Sequence, residues 1–231
     1  MQFVHLEDGI FRERPNRFGA VIVSGGRTVY VHVPNSGRLT ELLVPGRPVK
    51  WRPADNSRTD RRTAGDLVLV RGPRGWVCID ARLPPLLLAE YLAGRRVAPF
   101  GRCTAVSFEP ALGAGRADLI IECPQSTWII ETKSVTLARG GAAMFPDAPT
   151  QRGRRHMHEL AALARRSGAR PAVVFVAQRA DVYFFQPNDR TDPHFGRALR
   201  GAAQAGVAVA AFKCRVGVRG IRIASPIPVR L

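Results

Sequence analysis

The stretch RADLIIECPQSTWIIETK, residues 116–133, decides the fold of the second half of this 231-residue chain. Two apolar segments, DLIIE and WIIETK, lie on either side of the turn-forming segment CPQST, a pattern typical of two antiparallel strands. Because side chains alternate across a strand, Glu131 and Lys133 are expected on the same face. Folding the hairpin about the centre of its turn makes Asp118 and Glu131 cross-strand neighbours, within one residue of register.

Two acids and one lysine brought together in this way indicate a metal-dependent site. Two neighbouring carboxylates repel each other unless a cation joins them, and hard oxygen ligands suit Mg²⁺, with Mn²⁺ as a second possibility. Lys133 on the same face can orient or deprotonate an attacking water. The spacing of Asp118, Glu131 and Lys133 resembles that of the PD-(D/E)xK nucleases, and a structural Asp–Lys or Glu–Lys bridge is the alternative. Glu109 is either a further carboxylate of this site or a surface acid before a proline.

The rest of the second half alternates between strands and helices. Apolar residues at i, i+3, i+4 and i+7 predict a helix over 150–167, and a second helix is expected over 193–205. Further strands are expected at 106–109, 172–178 and 207–216. This alternation predicts an α/β domain with crossover connections and a mixed central sheet.

Residues 1–82 have an all-β pattern of short candidate strands and basic turns. The segments AVIVS and RTVYVHV flank Gly25 and Gly26, a two-residue hairpin turn that requires positive φ. Further strands are expected at 9–14, 48–52, 66–70 and 76–80. About five short strands in this length predict a small OB-like β-barrel, with a fragment of a β-sandwich as the alternative.

The charge of the chain points to a polyanionic partner. Lys and Arg number 35 against 18 Asp and Glu, a formal net charge of +17. Nucleic acid is favoured over an anionic membrane because no long basic amphipathic helix is visible, and a merely basic surface is the alternative. No apolar run approaches the roughly 18–20 residues of a membrane span, and the N-terminus lacks an apolar signal segment, so we expect a cytoplasmic protein.

We therefore expect two domains. Residues 1–82 form an OB-like nucleic-acid-binding domain, and residues 83–231 form a PD-(D/E)xK-like domain that opens with a connector helix within 83–100. Arginines and one histidine are candidate contacts to the phosphates of DNA or RNA, with solvated cationic turns as the alternative. These candidates are Arg38, Arg61 and Arg62 in the first domain and Arg152, Arg155 and His156 at the start of the helix in the second. Tyr30 and Trp51 are either base-stacking residues or core.

Six segments carry a resemblance to a known family. They are HVPNSGRLTELLVPG (32–46), GRAD (115–118), ETKSVTL (131–137), GGAAMFPDAPTQRGRRHMHEL (140–160), AQRADV (177–182) and the terminal PIPV. In these segments the chain is similar to the sugar fermentation stimulation protein (SfsA) family of bacteria and archaea. The departures are mild: Ser36 stands where the family commonly has threonine, and Arg61 or Arg62 and Arg155 stand where it has lysine.

The resemblance implies both a fold and a function. It implies an OB-like DNA-binding domain followed by a PD-(D/E)xK-like domain that hydrolyses phosphodiester bonds of DNA or RNA with little sequence preference. The family's metal-site pattern corresponds to Glu109, Asp118, Glu131 and Lys133 of this chain. Because the family is named for an effect on sugar-metabolism genes, the alternative is a catalytically inert, non-specific DNA-binding regulator.

Overall fold

A computed structural model describes residues 1–55, 62–112, 115–166 and 168–231, and its first unit is a β-barrel. The strands of this unit are β1 (Glu7–Asn16), β2 (Gly19–Ser24), β3 (Arg27–His32), β4 (Pro48–Pro53), β5 (Gly65–Gly72) and β6 (Gly75–Cys78). Strands pair in the order β3-β2-β1-β4-β5-β6, and a parallel bridge between His32 and Asp66 joins β3 to β5. The first five strands therefore close into the predicted OB-like barrel, and β6 extends its edge.

The second unit is built around a mixed six-stranded sheet. Its elements are α1 (Pro84–Leu92), β7 (Arg96–Val97), β8 (Gly101–Arg102), β9 (Ala105–Phe108), β10 (Ala111–Leu112), β11 (Gly115–Arg116), β12 (Leu119–Cys123), β13 (Ser126–Val135), β14 (Ala138–Arg139), β15 (Ala142–Phe145), α2 (Gln151–Ala164), β16 (Ala169–Ala177), β17 (Phe184–Pro187), α3 (Pro193–Gln204), β18 (Ala208–Gly217) and β19 (Gly220–Pro226). The main sheet has the order β19-β18-β16-β13-β12-β9, in which β13, β16 and β18 run parallel and the other pairs antiparallel. The mixed sheet with crossover helices confirms the predicted fold class.

The central strand β16 has one helical layer on each of its faces. Val173 and Phe175 point into a cluster with residues of α2 and α3, whereas Val174 and Val176 point into a cluster with α1 and part of the barrel. This period of two is the alternation expected of a strand that is buried on both faces. The crossover helices α2 and α3 thus cover one face, and α1 with the barrel covers the other.

The barrel and the second unit share one hydrophobic cluster. Leu69 and Cys78 of the barrel sheet belong to the same cluster as Leu88 of α1 and Ile130 of β13. Hydrogen bonds reinforce this junction, since the Cys78 amide donates to the Gln178 carbonyl at 3.0 Å and the Gln178 side chain donates to the Asp80 carbonyl at 2.9 Å. The position of the barrel on the sheet is therefore fixed by packing as well as by chain connectivity.

Several elements differ from the sequence-based expectation. The helix predicted over 150–167 spans Gln151–Ala164: Thr150 caps its start by accepting a hydrogen bond from the Gly153 amide, and a turn follows Ala164. The strand β19 and the small three-stranded sheet β14-β15-β17 were not predicted, because their sequences contain no long apolar run. The four cysteines, Cys78, Cys103, Cys123 and Cys214, are free thiols. No helix within the described ranges is long and apolar enough to cross a membrane.

Candidate active site

A cleft of about 690 Å³ lies where the barrel meets the second unit. The second unit lines it with Asp118, Glu131, Lys133 and the start of α2, and the barrel lines it with residues from two of its loops. The hairpin of β12 and β13 carries the acids to this place, because Leu119 pairs with Ile130 and the next position brings residue 118 beside Glu131. The predicted neighbourhood of these two acids is therefore present.

Asp118 is held by the backbone and side chain of the neighbouring strand. Its Oδ2 accepts hydrogen bonds from the Thr132 amide and from the Thr132 hydroxyl, each at 2.7 Å. Burial, followed by the negative charge of Glu131, raises the pKa of Asp118, although the two hydrogen bonds oppose this shift. The site therefore disfavours a second negative charge beside Glu131.

Glu131 has cationic and hydrogen-bonding partners. It is 8% exposed, and its Oε1 accepts a hydrogen bond from Lys133 Nζ at 2.5 Å and one from His156 Nδ1. Burial by itself would raise the pKa of Glu131, but the hydrogen bonds from His156 and Lys133 and the charge of Lys133 bring it below its usual value. Glu131 is therefore ionised, and α2 and β13 both fix its orientation.

The donor atoms of the cleft fit a hard divalent cation. All the hydrogen bonds that Asp118 and Glu131 accept from described residues go to Oδ2 and Oε1 respectively, which leaves Oδ1 and Oε2 available as ligands. A cation there would also relieve the repulsion that raises the pKa of Asp118. Glu109 lines the same cleft, but in the described ranges no three His, Cys, Asp or Glu side chains converge as a ready-made metal site.

Other predicted contact residues are dispersed around the cleft. Arg152 lines it and donates from Nε to His156 Nε2 at 3.3 Å, which makes Nδ1 of His156 the protonated nitrogen that faces Glu131. Arg155 is directed away and pairs with Glu159 on the exposed side of α2. Arg38 borders a smaller adjoining cavity, and Arg62 is exposed on the barrel. Arg61 lies outside the described residues.

Two family models cover most of the chain. A model described as "SfsA N-terminal OB domain" matches residues 13–79, and one described as "Sugar fermentation stimulation protein RE domain" matches residues 82–220. The chain belongs to the SfsA family. The family predicted from sequence motifs is thereby confirmed, and so is the OB domain of its N-terminal half.

Relatives match this SfsA chain along nearly its whole length. Sugar fermentation stimulation protein homologs of Moorella thermoacetica and Symbiobacterium thermophilum are 41% and 43% identical to it, covering 98% and 96% of the chain and 97% and 93% of their own. A structure described as "Pyrococcus Furiosus SfsA in complex with Ca2+" is 30% identical, with a TM-score of 0.84, and the match covers 100% of this chain and 98% of that one.

Sequence reasoning missed how the barrel completes the cleft. The side chain of Arg14 donates hydrogen bonds to four main-chain carbonyls, those of Arg17, Asn35, Gly37 and Arg38. These bonds shape the loop 34–38, and Asn35, Ser36 and Gly37 from it line the cleft together with Arg17. The sequence contains the turn-forming residues Pro34, Asn35 and Gly37 at this loop. The formation of a turn is enough to explain these residue types, so the sequence alone does not indicate that the loop lines a site.

Asp147 connects this loop to the second unit. Its Oδ2 accepts a hydrogen bond from the amide of Leu39 at 3.2 Å, and its carboxylate lies directly against Gly37. A Cβ at position 37 would overlap the carboxylate, so any larger residue there would displace the side chain of Asp147. The barrel loop is therefore a wall of the cleft, opposite the acids and the lysine of β13.

Proposed function

We propose that this SfsA protein is a metal-dependent nuclease that hydrolyses phosphodiester bonds of DNA or RNA with little sequence preference. The observation that carries the proposal is the convergence of Asp118, Glu131 and Lys133 in one cleft between an OB domain and a mixed α/β sheet. The same three residues match the spacing of the PD-(D/E)xK nucleases. The net charge of +17 supports a polyanionic substrate.

Oδ1 of Asp118 and Oε2 of Glu131 would hold the metal, with Glu109 and the Thr132 carbonyl as further candidate ligands. The Ca²⁺ complex of the Pyrococcus relative supports a divalent ion for this family fold. We propose Mg²⁺ as the working ion, with Mn²⁺ as a substitute, because Mg²⁺ keeps waters that a substrate phosphate can displace. When bound, such an ion supplies charge neutralisation at a phosphate oxygen and a more acidic water.

The side chains of the chain orient the reacting groups. Lys133 is 2.5 Å from Glu131 Oε1, so its ammonium lies beside the acid pair, where it positions a water for in-line attack on phosphorus. His156 does not face the substrate but holds Glu131 from the side of α2. Arg152, whose Nε already fixes His156, presents the rest of its guanidinium to the cleft and binds the neighbouring phosphate.

Phosphate contacts rather than base contacts would supply the affinity. Arg17 and Arg152 line the cleft, and neither has an ion pair with a carboxylate of the described residues. Binding through such groups releases counterions, so the affinity falls steeply with salt and depends little on sequence. A dissociation constant that stays unchanged between low and high salt would contradict this part of the proposal.

The decisive experiment compares the wild-type protein with Asp118→Asn on single- and double-stranded DNA and RNA. Cleavage is expected with Mg²⁺ or Mn²⁺, not with a chelator, and not by Asp118→Asn, because the amide removes one ligand charge. Nucleic-acid binding by Asp118→Asn is expected to equal or exceed that of the wild type, since less negative charge faces the phosphates.

A matched control separates this site from contaminating nuclease. Glu122→Gln removes one carboxylate from β12, the strand that follows Asp118, at an exposed position that does not line the cleft, and is expected to cleave like the wild type. If Asp118→Asn cleaves as fast as Glu122→Gln, the site assignment is wrong. A wild-type protein that binds nucleic acid but cleaves none of the four substrates would instead support the inert regulator.

A further inference from the structure

Three aromatic side chains form an exposed surface on the outside of the barrel. Tyr30 and His32 project from the outer face of β3, because the intervening Val31 is buried in the barrel core. Phe18, in the turn before β2, stacks on His32 with ring centroids 6.2 Å apart. Phe18 is 49% exposed and Tyr30 is 38% exposed. We call Phe18, Tyr30 and His32 the aromatic surface.

Hydrogen bonds hold the ring of Tyr30 and the backbone at Phe18 in place. Asn16 donates from Nδ2 to the Tyr30 hydroxyl at 2.8 Å, and its Oδ1 accepts from the Phe18 amide at 2.9 Å. The ring of Tyr30 lies across Gly19, where any Cβ would overlap the phenol. The ring of Tyr30 is thus held without being buried, so a ligand that stacks on it does not have to immobilise it first.

A row of basic residues leads from the aromatic surface to the cleft. Arg17 precedes Phe18 in the chain and lines the cleft that holds Asp118 and Glu131. A second cavity of about 320 Å³ adjoins it, with Arg17, Ser36 and Gly37 lining both and Arg38 lining the second. Arg17 and Arg38 are exposed, and neither forms an ion pair with a carboxylate of the described residues. The smaller cavity is also lined by Asn16, which donates to Tyr30, so the aromatic surface, the two arginines and the cleft of the acids adjoin one another.

We propose that the substrate of the cleft is single-stranded nucleic acid, whose bases stack on Phe18 and Tyr30 while its backbone passes Arg17 and Arg38 to the acids. This inference rests on the proposed nuclease function for the cleavage step but not for binding. Bases in a duplex are stacked on one another and hidden in the helix, whereas an unpaired base offers its face to an aromatic ring. Exposed rings beside a basic cleft therefore favour binding of single-stranded over double-stranded nucleic acid.

The test is binding in the presence of a chelator, where no metal-dependent cleavage occurs. Fluorescence anisotropy compares a labelled single strand of about 20 nucleotides, longer than the roughly 4–16 that one OB fold covers, with the duplex of the same sequence. The wild type is expected to bind the single strand more tightly. Phe18→Leu and Tyr30→Leu are each expected to weaken single-strand binding about tenfold, and duplex binding less than about twofold, because stacking of one base on one ring is lost.

Two controls match these variants. Tyr30→Phe keeps the ring and loses the hydroxyl that Asn16 binds, so it is expected to bind the single strand more tightly than Tyr30→Leu does. Phe108→Leu removes a ring that is also 49% exposed but lies on β9 of the second unit, and it is expected to bind like the wild type. Thermal melting checks that each variant is folded. If Phe18→Leu and Tyr30→Leu bind like Phe108→Leu, or if duplex and single strand weaken equally, the inference is overturned.

A cross-linking experiment locates the contact directly. A single strand that contains 5-iodouracil, irradiated on the wild-type protein, is expected to cross-link to Phe18 or Tyr30, as mapped by mass spectrometry. Cross-links confined to other residues would contradict the stacking path. Failure of the nuclease proposal has a different signature, because a protein that never cleaves can still show the aromatic dependence of single-strand binding.

Discussion

Asp118→Asn is expected to stabilise the metal-free protein while it destroys the proposed metal site. In the wild type, burial and the charge of Glu131 raise the pKa of Asp118, so its ionised form is destabilising in the folded state. The amide introduced by the substitution removes that charge. Its oxygen can still accept the hydrogen bonds that Thr132 donates at 2.7 Å, so the substitution changes charge and little else.

The expected result is a higher free energy of unfolding than that of the wild type in chelator, because the folded protein no longer carries the destabilised charge. For a chain of this size each kcal/mol gained corresponds to a rise in Tm of about 2–4 °C. The gain depends on pH. The wild-type carboxyl binds its proton more tightly when folded than when unfolded, so the penalty is fully present above the folded pKa of Asp118. It disappears as the pH falls towards the unfolded pKa, and the two proteins then melt alike.

Differential scanning fluorimetry in chelator and in Mg²⁺ tests both parts of this prediction. Mg²⁺ is expected to raise the Tm of the wild type, because a ligand that binds only the folded state stabilises it, and to leave Asp118→Asn nearly unchanged. Glu122→Gln, which removes an exposed carboxylate from β12, the strand that follows Asp118, controls for the general effect of net charge. The reasoning is refuted if Asp118→Asn melts below the wild type at neutral pH in chelator. It is also refuted if Mg²⁺ raises the Tm of Asp118→Asn as much as it raises the Tm of the wild type.

Three further predictions concern the cleft and its support. Gly37→Ala places a methyl group against the carboxylate of Asp147 and is expected to lower the free energy of unfolding by about 1–3 kcal/mol, measured by urea denaturation. The double variant Gly37→Ala/Asp147→Ala should lose less than the sum of the single variants, and full additivity would count against the contact. Lys133→Ala should reduce kcat in the cleavage assay yet keep the rise in Tm with Mg²⁺, and loss of that rise would mean that Lys133 supports metal binding instead. Gly201→Ala, in α3, where the new methyl would have no atom within 4 Å beyond the adjacent backbone of its own helix, should raise the free energy of unfolding by about 0.5–1 kcal/mol, and a lower Tm would disprove this.

Local patterns were sufficient to predict the acid pair. The apolar runs of β12 and β13 are separated by a short turn, so their register could be estimated within one residue, and the structure pairs Leu119 with Ile130. Strand alternation then placed Glu131 and Lys133 on one face. Both steps depend on contacts between residues close in the chain, which is the range over which sequence periodicity carries information.

The barrel wall of the cleft could not be predicted in this way. Asp147 bonds to the amide of Leu39 across a separation of 108 residues, and Arg14 binds main-chain carbonyls that any arginine could bind. Neither contact leaves a periodic or compositional mark on the sequence. The sequence predicts His156 as a phosphate contact, but its ring forms a hydrogen bond with Glu131. This contact arises because α2 begins at the cleft and the side of the helix that carries His156 faces β13.

The shared core explains why the wall and the acids can act as one site. The cluster that contains Leu69, Leu88 and Ile130 joins the barrel, the connector helix and the sheet, so a hinge movement between the two units would expose apolar surface. The hydrogen bonds between Gln178 and the segment 78–80 would also have to break. The cleft is consequently preformed by packing, and Arg17 and the loop 34–38 of the barrel line it together with Asp118 and Glu131. The proposed binding by the barrel and the proposed chemistry in the sheet would therefore be coupled by geometry.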